Sequence, residues 1–154
     1  MTRQLFTFSA NQELVDSLAK LGARFIIVGG LAVHYHAPER KVGDLDILIE
    51  RSAETAEKVI AVLSSCPLIR HSITTDQLLR PRKAQIPAKI YFNADILTPG
   101  EDIDFDQHWH RAHDAKIGNT PVKVAAVETL LLLLSLSNEP KHIQDIAILK
   151  QITG

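Results

Sequence analysis

The chain has 154 residues, of which 45% are hydrophobic and 23% are charged, and its formal net charge at pH 7 is −1. This balance is typical of a globular protein, and the length predicts a single domain over residues 1–154. The near-neutral charge excludes a global attraction to nucleic acid or to an acidic membrane surface, so a nucleic-acid partner would require a local basic patch. The residues that could form such a patch are Arg80, Arg82, Lys83 and Lys89.

The cysteine content and the apolar segments indicate the cellular compartment. Cys66 is the only cysteine, so an internal disulfide is impossible and a reducing compartment is expected. Residues 1–10 lack the apolar run of a secretory signal. The longest apolar stretch, residues 124–136, is too short to cross a bilayer and is interrupted by Glu128. We therefore expect a cytoplasmic protein without a membrane partner.

Hydrophobic periodicity predicts alternating helices and strands in the first part of the chain. Leu14, Val15, Leu18 and Leu21 recur at the helical period before Gly22, whereas the run that ends at Val28 has the apolar character of a buried strand. The predicted elements are a helix over 10–21, a strand over 24–28, a short helix over 31–36, a strand over 44–50 and a helix that begins after Ser52 and ends near 64.

The second part of the chain predicts fewer helices and a hairpin. The predicted elements are a helical turn over 75–79, a strand over 89–97, an acidic loop over 101–106, a hairpin of 115–117 with 122–124, and two helices over 125–137 and 141–152. This order predicts an α+β fold with a mixed, twisted sheet of about five strands and helices packed mainly on one face.

The turn at Gly29 and Gly30 is a candidate phosphate-binding segment. It connects the predicted strand over 24–28 to a predicted helix, and glycine allows a ligand to approach the backbone closely. A helix N-terminus offers N–H groups and a partial positive charge, which suit an anion. Taken alone, such a pair of glycines is more often an ordinary turn, so the interpretation depends on its neighbours.

Three aspartates are candidate metal ligands that would support a phosphate-binding role for this turn. Asp44 and Asp46 are two residues apart in a predicted strand, so their side chains leave the same face and repel each other. Asp95 lies in the second apolar strand. A hard cation such as Mg²⁺ or Mn²⁺ relieves this repulsion, and three carboxylates on adjacent strands predict a site for one or two metal ions. The alternatives are a solvated strand edge for Asp44 and Asp46, and a cap or salt bridge for Asp95.

These motifs together resemble the DNA polymerase β-like nucleotidyltransferase superfamily. The matching residues are Val28-Gly29-Gly30, then Asp44-Leu45-Asp46-Ile47, then Ala94-Asp95-Ile96. Residues 25–50 are especially similar to the minimal bacterial members, which include lincosamide and aminoglycoside nucleotidyltransferases and the nucleotidyltransferase partners of toxin–antitoxin systems. The segment from Lys141 to Ile146 is weakly similar to a Lys/Arg–Asp–Ile element near the end of several of them.

The resemblance implies a minimal nucleotidyltransferase fold and a metal-dependent transfer of an NMP group from an NTP donor. Asp44 and Asp46 would bind the metal ions that hold the triphosphate, and Gly29 and Gly30 would contact the phosphates. Asp95 would hold the catalytic metal and could act as the base on an acceptor hydroxyl. The acceptor would be a small molecule, a protein or an RNA, and pyrophosphate would leave.

A triphosphate needs a basic side chain nearby, and several residues are candidates for it. Arg40, four residues before Asp44, is a candidate nucleotide contact, although a surface ion pair explains it equally well. The relatives often carry a basic residue in the penultimate helix, which here reads Leu-Leu-Leu-Leu-Leu-Ser. The residues that could replace it are Lys123, Lys141 and Lys150. Without a replacement, the alternative is a noncatalytic binding protein or an antitoxin-like partner with the same fold.

Histidines are the remaining candidates for chemistry. His108, His110 and His113 are close in sequence, but their spacing matches no structural zinc motif, so a polar surface segment is the preferred interpretation. His34 or His36 could line a nucleotide pocket because both follow the Gly-Gly turn. The short chain leaves little room for an acceptor-binding module, and we expect a homodimer or a partner protein to complete the pocket.

Overall fold

The computed structural model describes residues 3–7, 9–41, 44–65, 73–80, 85–88, 94–100, 103–135 and 142–153. Within these ranges the strands are β1 (Arg3–Leu5), β2 (Phe25–Val28), β3 (Leu45–Ile49), β4 (Gln85–Ala88), β5 (Ala94–Leu97), β6 (His113–Ile117) and β7 (Thr120–Val124). The helices are α1 (Ser9–Lys20), α2 (Gly29–His36), α3 (Ala53–Ser65), α4 (Thr75–Leu79), α5 (Phe105–Arg111), α6 (Val127–Ser135) and α7 (His142–Thr153).

The strands form one mixed sheet in the order β1-β6-β7-β2-β3-β5-β4. β2 runs antiparallel to β3, and β3 runs parallel to β5. All residues of β2 are buried, and β3 is buried except at Asp46, which is half-buried. A strand buried on both faces requires packing on each side of the sheet, which explains why both strands read as continuous apolar runs. Asp46 is therefore the one residue of β2 and β3 that is not fully buried.

The predicted α+β class with a mixed sheet is confirmed, but the sheet has seven strands rather than about five. The additional strands are β1 and β4. β1 has three residues and is added to the sheet by parallel pairing with β6, so it carries no periodic pattern that could predict it. β4 contains Pro87 and is the last strand in the sheet order. Proline is tolerated at a sheet edge, although in the sequence it argues against a strand.

The first residues of two helices differ from the prediction by two positions. α2 begins at Gly29 rather than at residue 31, so β2 passes directly into the helix. α6 begins at Val127 rather than at residue 125, because the Ala125 N–H donates to the Ile27 carbonyl oxygen at 2.9 Å and extends the contact with β2. The predicted start of the third helix after Ser52 is confirmed, and Ser52 caps it, because the Thr55 N–H donates to the Ser52 hydroxyl oxygen at 3.2 Å.

The acidic segment 101–106 was expected to be a loop throughout, and this prediction is wrong at its end. α5 begins at Phe105, and the Asp104 carboxylate accepts a hydrogen bond from the Gln107 N–H at 3.4 Å. Asp104 thus acts as an N-cap, and Phe105 and His108 bury the face that the helical period places together. Of the strand predicted over 89–97, residues 94–97 are in β5 and residues 89–93 lie outside the described ranges.

None of the helices that the structure describes has the length and apolar character needed to span a membrane.

Candidate functional site

Two aspartates lie side by side on adjacent strands. In the parallel pairing of β3 with β5, Asp46 is the direct partner of Asp95. In the antiparallel pairing of β2 with β3, Asp46 is also the direct partner of Val28. Residues that are partners in a sheet project from the same face, and neighbouring strands are about 4.8 Å apart. Asp46 and Asp95 therefore form a pair at the end of β2 where the Gly29-Gly30 turn begins.

The three predicted aspartates differ in their exposure. Asp95 is 4% exposed, Asp46 is half-buried and Asp44 is exposed just before β3 begins. Burying one carboxylate beside another is costly unless positive charge lies nearby, because both desolvation and repulsion disfavour the pair. The predicted convergence of Asp46 and Asp95 is therefore present, whereas Asp44 lies at the rim in solvent.

Gly29 brings the backbone into contact with this pair. Its φ is +65°, a conformation that side chains rarely adopt. A Cβ atom on Gly29 would lie 2.1 Å from Oδ2 of Asp46 and 2.9 Å from its Cγ. Glycine is thus required for two independent reasons, the backbone conformation and the space that the Asp46 carboxylate occupies. The first residue of α2 and the Asp46 carboxylate are packed directly against each other.

Gly30 has the same relationship to a cation. A Cβ atom on Gly30 would lie 3.1 Å from Nη2 and 3.2 Å from Nη1 of Arg40, so the guanidinium rests on this glycine. Val28, which precedes α2, has no side-chain acceptor for the first N–H groups of the helix. The two consecutive glycines therefore contact groups of opposite charge, a carboxylate at Gly29 and a guanidinium at Gly30.

The Arg40 side chain forms an ion pair with Asp145 of α7. Its Nε donates to Oδ1 of Asp145 at 3.0 Å, and its Nη2 donates to Oδ2 at 3.1 Å. His34 contacts the Arg40 carbonyl oxygen through Nδ1 at 2.6 Å. Asp145 is 7% exposed, so the ion pair expected as an alternative exists but is not a simple surface pair. The sequence does not predict Asp145 as the partner of Arg40, and the weak similarity of residues 141–146 to a Lys/Arg–Asp–Ile element is its one signal there.

The lysines proposed as substitutes are placed elsewhere or are not described. Lys123 forms an ion pair with Asp114 at 2.6 Å, and its ammonium lies 5.6 Å from the centre of the Trp109 ring. Lys150 is in the last turn of α7, and residue 141 lies outside the described ranges. Among the described residues, Arg40 is therefore the best-placed basic side chain for an anion at the Gly29-Gly30 turn.

The candidate histidines among the described residues do not form one site. Nε2 of His36 lies 2.8 Å from the Ala125 carbonyl oxygen, and its ring packs edge-on against His113. Nδ1 of His108 lies 2.6 Å from the Thr129 hydroxyl oxygen in the core, while His110 is exposed. Burial, reinforced by the charge of Arg111, lowers the pKa of His108. The preferred interpretation of a polar helix holds for His110 but not for the buried His108.

Within the described ranges, no three His, Cys, Asp or Glu side chains are grouped closely enough to hold a metal ion by themselves. Of the three aspartates predicted to bind metal, Asp46 and Asp95 are adjacent in the sheet, and Asp44 does not complete a three-carboxylate group with them. For the basic patch, Arg80 is exposed, and residues 82, 83 and 89 lie outside the described part of the chain.

Comparison with protein-family models gave no match, and comparison with curated protein sequences gave none either. Solved structures do match. An antigenic nucleotidyltransferase-like protein from Paracoccidioides brasiliensis aligns with a TM-score of 0.54 at 17% identity, over 96% of this chain and 77% of that protein. The structure of ANT(2″)-Ia in complex with adenylyl-2″-tobramycin aligns with a TM-score of 0.55 at 12% identity, over 93% of this chain and 87% of that one.

A third structure, of a Thermotoga maritima protein that is proposed to be a nucleotidyltransferase, aligns with a TM-score of 0.50 at 14% identity, over 91% of this chain and 88% of that one. Identities this low establish the fold alone. The alignments nevertheless cover between 91% and 96% of this chain. The chain therefore has the nucleotidyltransferase fold, as the resemblance of its Gly-Gly and Asp-apolar-Asp motifs indicated.

Proposed function

We propose that this protein is a nucleotidyltransferase that moves an NMP group from an NTP to an acceptor hydroxyl and releases pyrophosphate. The observation that carries the proposal is the pairing of Asp46 with Asp95 in direct register, with the Asp46 carboxylate packed against Gly29 at the start of α2. A carboxylate pair beside a helix N-terminus is suited to a polyphosphate with its bound cation.

The nucleotide phosphates would lie at the Gly29-Gly30 turn. The first N–H groups of α2 have no side-chain cap from Val28, and uncapped N–H groups at a helix N-terminus suit an anion. Arg40 adds a full positive charge on the same side, because its guanidinium rests on Gly30. Positioning and charge neutralisation of this kind account for most of the catalysis of phosphoryl and nucleotidyl transfer.

Asp46 and Asp95 would hold Mg²⁺ or Mn²⁺. When bound, the metal would neutralise the triphosphate and stabilise the charge that develops on the α-phosphate. The donor set fits, since carboxylate oxygens are the preferred ligands of both ions. The half-buried Asp46 and the buried Asp95 lie side by side in the sheet. A metal ion bound by both carboxylates would reduce the repulsion between them.

In the reaction, the acceptor oxygen would form a bond to the α-phosphorus, and the bond from that phosphorus to the oxygen bridging to the β-phosphate would break. Asp95 would accept the proton of the acceptor hydroxyl, and pyrophosphate would carry away the bond electrons. Asp95 suits this role because its strand neighbours Ala94 and Ile96 are fully buried, which fixes the carboxylate in place.

The acceptor class follows less directly. One structure with this fold, ANT(2″)-Ia, was solved with adenylyl-2″-tobramycin, so hydroxyl-bearing aminoglycosides are the first small molecules to test. A protein hydroxyl and an RNA 3′ end are the other two classes. We expect a homodimer or a partner protein to contribute to the acceptor pocket.

The test is a transfer assay with each of the four NTPs, Mg²⁺, and separately tobramycin, a hydroxyl-bearing test protein and an RNA with a free 3′ end. We expect one combination to release pyrophosphate and to add the mass of one NMP group to the acceptor. Asp95→Asn should abolish transfer, while Asp76→Asn, which changes an exposed aspartate of α4, should not. Metal-dependent NTP binding without any transfer would favour the noncatalytic or antitoxin-like alternative.

A further inference from the structure

The contact between Arg40 and α7 has a functional consequence. We propose that Asp145 is a positioning residue, which holds the Arg40 guanidinium in the orientation that binds the nucleotide phosphates. This inference rests on the proposed nucleotidyltransferase function and adds to it, because it makes the C-terminal helix a part of the phosphate site. The two residues are 105 positions apart in the chain.

The ion pair is bidentate and mostly withdrawn from solvent. Asp145 contacts Nε and Nη2 of Arg40 through its two carboxylate oxygens, at 3.0 and 3.1 Å. The exposed fraction of the Asp145 side chain is 10%, and that of the Arg40 side chain is 28%. A two-point contact fixes the plane of a guanidinium, whereas a single contact would leave it free to rotate. Asp145 therefore sets the orientation of Arg40 and not only its position.

The remaining donors of Arg40 are suited to a phosphate. A guanidinium has five N–H donors. Two donate to Asp145, and one on Nη1 donates to the Lys41 carbonyl oxygen. One N–H on Nη1 and one on Nη2 remain, and we call these two donors the fork, because together they can donate to the oxygens of a phosphate. Using the side of the guanidinium for Asp145 thus leaves its end for a ligand.

The place where this fork lies supports the same ligand. Nη1 and Nη2 are the Arg40 atoms closest to the missing Cβ of Gly30, at the N-terminus of α2. The preceding residue, Gly29, contacts the Asp46 carboxylate. A triphosphate that binds Asp46 through a metal ion would therefore pass the end of the Arg40 guanidinium. Because Arg40 lies in the loop after α2 and not in a regular element, its side chain depends on Asp145 for a fixed orientation.

The competing explanation is that the ion pair only ties α7 to the rest of the fold. The two explanations predict different results for an apolar replacement, because a buried ion pair can often be exchanged for apolar residues without loss of stability. The double variant Arg40→Met/Asp145→Leu restores packing and removes the fork. If the ion pair only stabilises the packing of α7, the double variant should keep both its stability and its nucleotide affinity. If Arg40 binds phosphate, the double variant should keep its stability but lose nucleotide affinity.

The experiment is calorimetric titration of the wild type, Asp145→Ala, Asp145→Asn and the double variant with Mg²⁺ and each NTP, and with inorganic tripolyphosphate. We expect Asp145→Ala to weaken binding roughly 10- to 100-fold, equally for all four NTPs and for tripolyphosphate, since one charge-assisted contact is lost. Asp145→Asn keeps one acceptor oxygen and should restore part of the affinity. The double variant should match the wild type in Tm and still bind weakly.

A matched control uses a different ion pair between distant segments. Arg24 and Glu50 are 2.8 Å apart at the opposite end of β2 and β3, so Glu50→Ala should lower Tm without changing NTP affinity. Wild-type affinity in a stable double variant would overturn the role of Asp145 while leaving the nucleotidyltransferase proposal intact. Absence of NTP and tripolyphosphate binding by the wild type would overturn both proposals.

Discussion

The carboxylate of Asp46 occupies the space in which a side chain at Gly29 would have to lie. Oδ2 of Asp46 is 2.1 Å from the position of the missing Cβ, and the backbone of Gly29 is in the left-handed region with φ +65°. The close approach joins the start of α2 to the strand that carries the candidate metal ligands. It also gives the two motifs of the sequence, Gly-Gly and Asp-Leu-Asp, a single physical explanation.

This contact predicts that Gly29→Ala is far more harmful than a change at a comparable glycine. Gly22 has φ +73°, but a Cβ there would meet only Lys58 Nζ at 3.8 Å. Gly22→Ala should therefore cost only the backbone term, about 1–2 kcal/mol. Gly29→Ala should cost about 1–3 kcal/mol more, because the added methyl displaces the Asp46 carboxylate.

Urea unfolding of both variants measures this difference in the free energy of unfolding. We also expect Gly29→Ala to lose NTP binding while Gly22→Ala keeps it. Equal destabilisation of the two variants would show that Asp46 moves aside without cost, and the contact would then have no part in shaping the site.

His108 predicts a stability loss at low pH. Burial lowers the pKa of His108 in the folded state below its ordinary value of about 6.5. Below that value the unfolded chain binds a proton that the folded chain does not, so stability falls as the pH drops through about 6.5 and levels off below the lowered pKa. The slope should approach about 1.4 kcal/mol per pH unit at most.

The measurement is the free energy of unfolding between pH 5 and 8 for the wild type and two variants. His108→Gln should remove the component of the slope that this histidine contributes, although it will lower stability at every pH because the Thr129 contact is disturbed. Gln107→Ala, which changes an exposed residue of the same helix that does not titrate, should leave the slope unchanged. A slope that persists fully in His108→Gln would assign it to another group.

Lys123 is predicted to have no part in nucleotide binding. Its ammonium is paired with Asp114 and lies near the Trp109 ring, so it has partners of its own. Lys123→Ala should leave the NTP dissociation constant within about twofold of the wild type and should lower stability by up to about 1 kcal/mol, as expected for a partly exposed ion pair. A tenfold loss of NTP affinity would instead identify Lys123 as the missing basic residue.

Much of the site could be predicted because its parts are local in sequence. The apolar run before Gly29 and the alternation around Asp46 each specify a strand, and a strand followed by glycines specifies where a helix can begin. The register that places Asp46 beside Asp95 could not be predicted, because parallel pairing depends on the order of strands in the sheet. The prediction of proximity was right, but only the structure supplies the pairing.

The elements that were missed share one cause, which is the absence of a periodic signal. Pro87 argues against a strand in the sequence, although an edge strand such as β4 tolerates it. The acidic residues before α5 indicate a loop in the sequence, although one of them, Asp104, is the N-cap of the helix. The bond between Arg40 and Asp145 joins two polar residues in distant segments, and no local pattern connects them. Long-range polar contacts of this kind are set by the packing of the whole fold.

The most direct test of the central claim is thermal unfolding of the wild type and Asp46→Asn with each of the four NTPs, with and without Mg²⁺. Ligand that binds only the folded state raises Tm by mass action, by an amount that corresponds to about 2.7 kcal/mol at a hundred times the dissociation constant. We predict that at least one NTP raises the Tm of the wild type only when Mg²⁺ is present, and that Asp46→Asn loses this increase. An increase of the same size in Asp46→Asn, or no increase with any NTP, would contradict a metal–nucleotide site at Asp46 and Asp95.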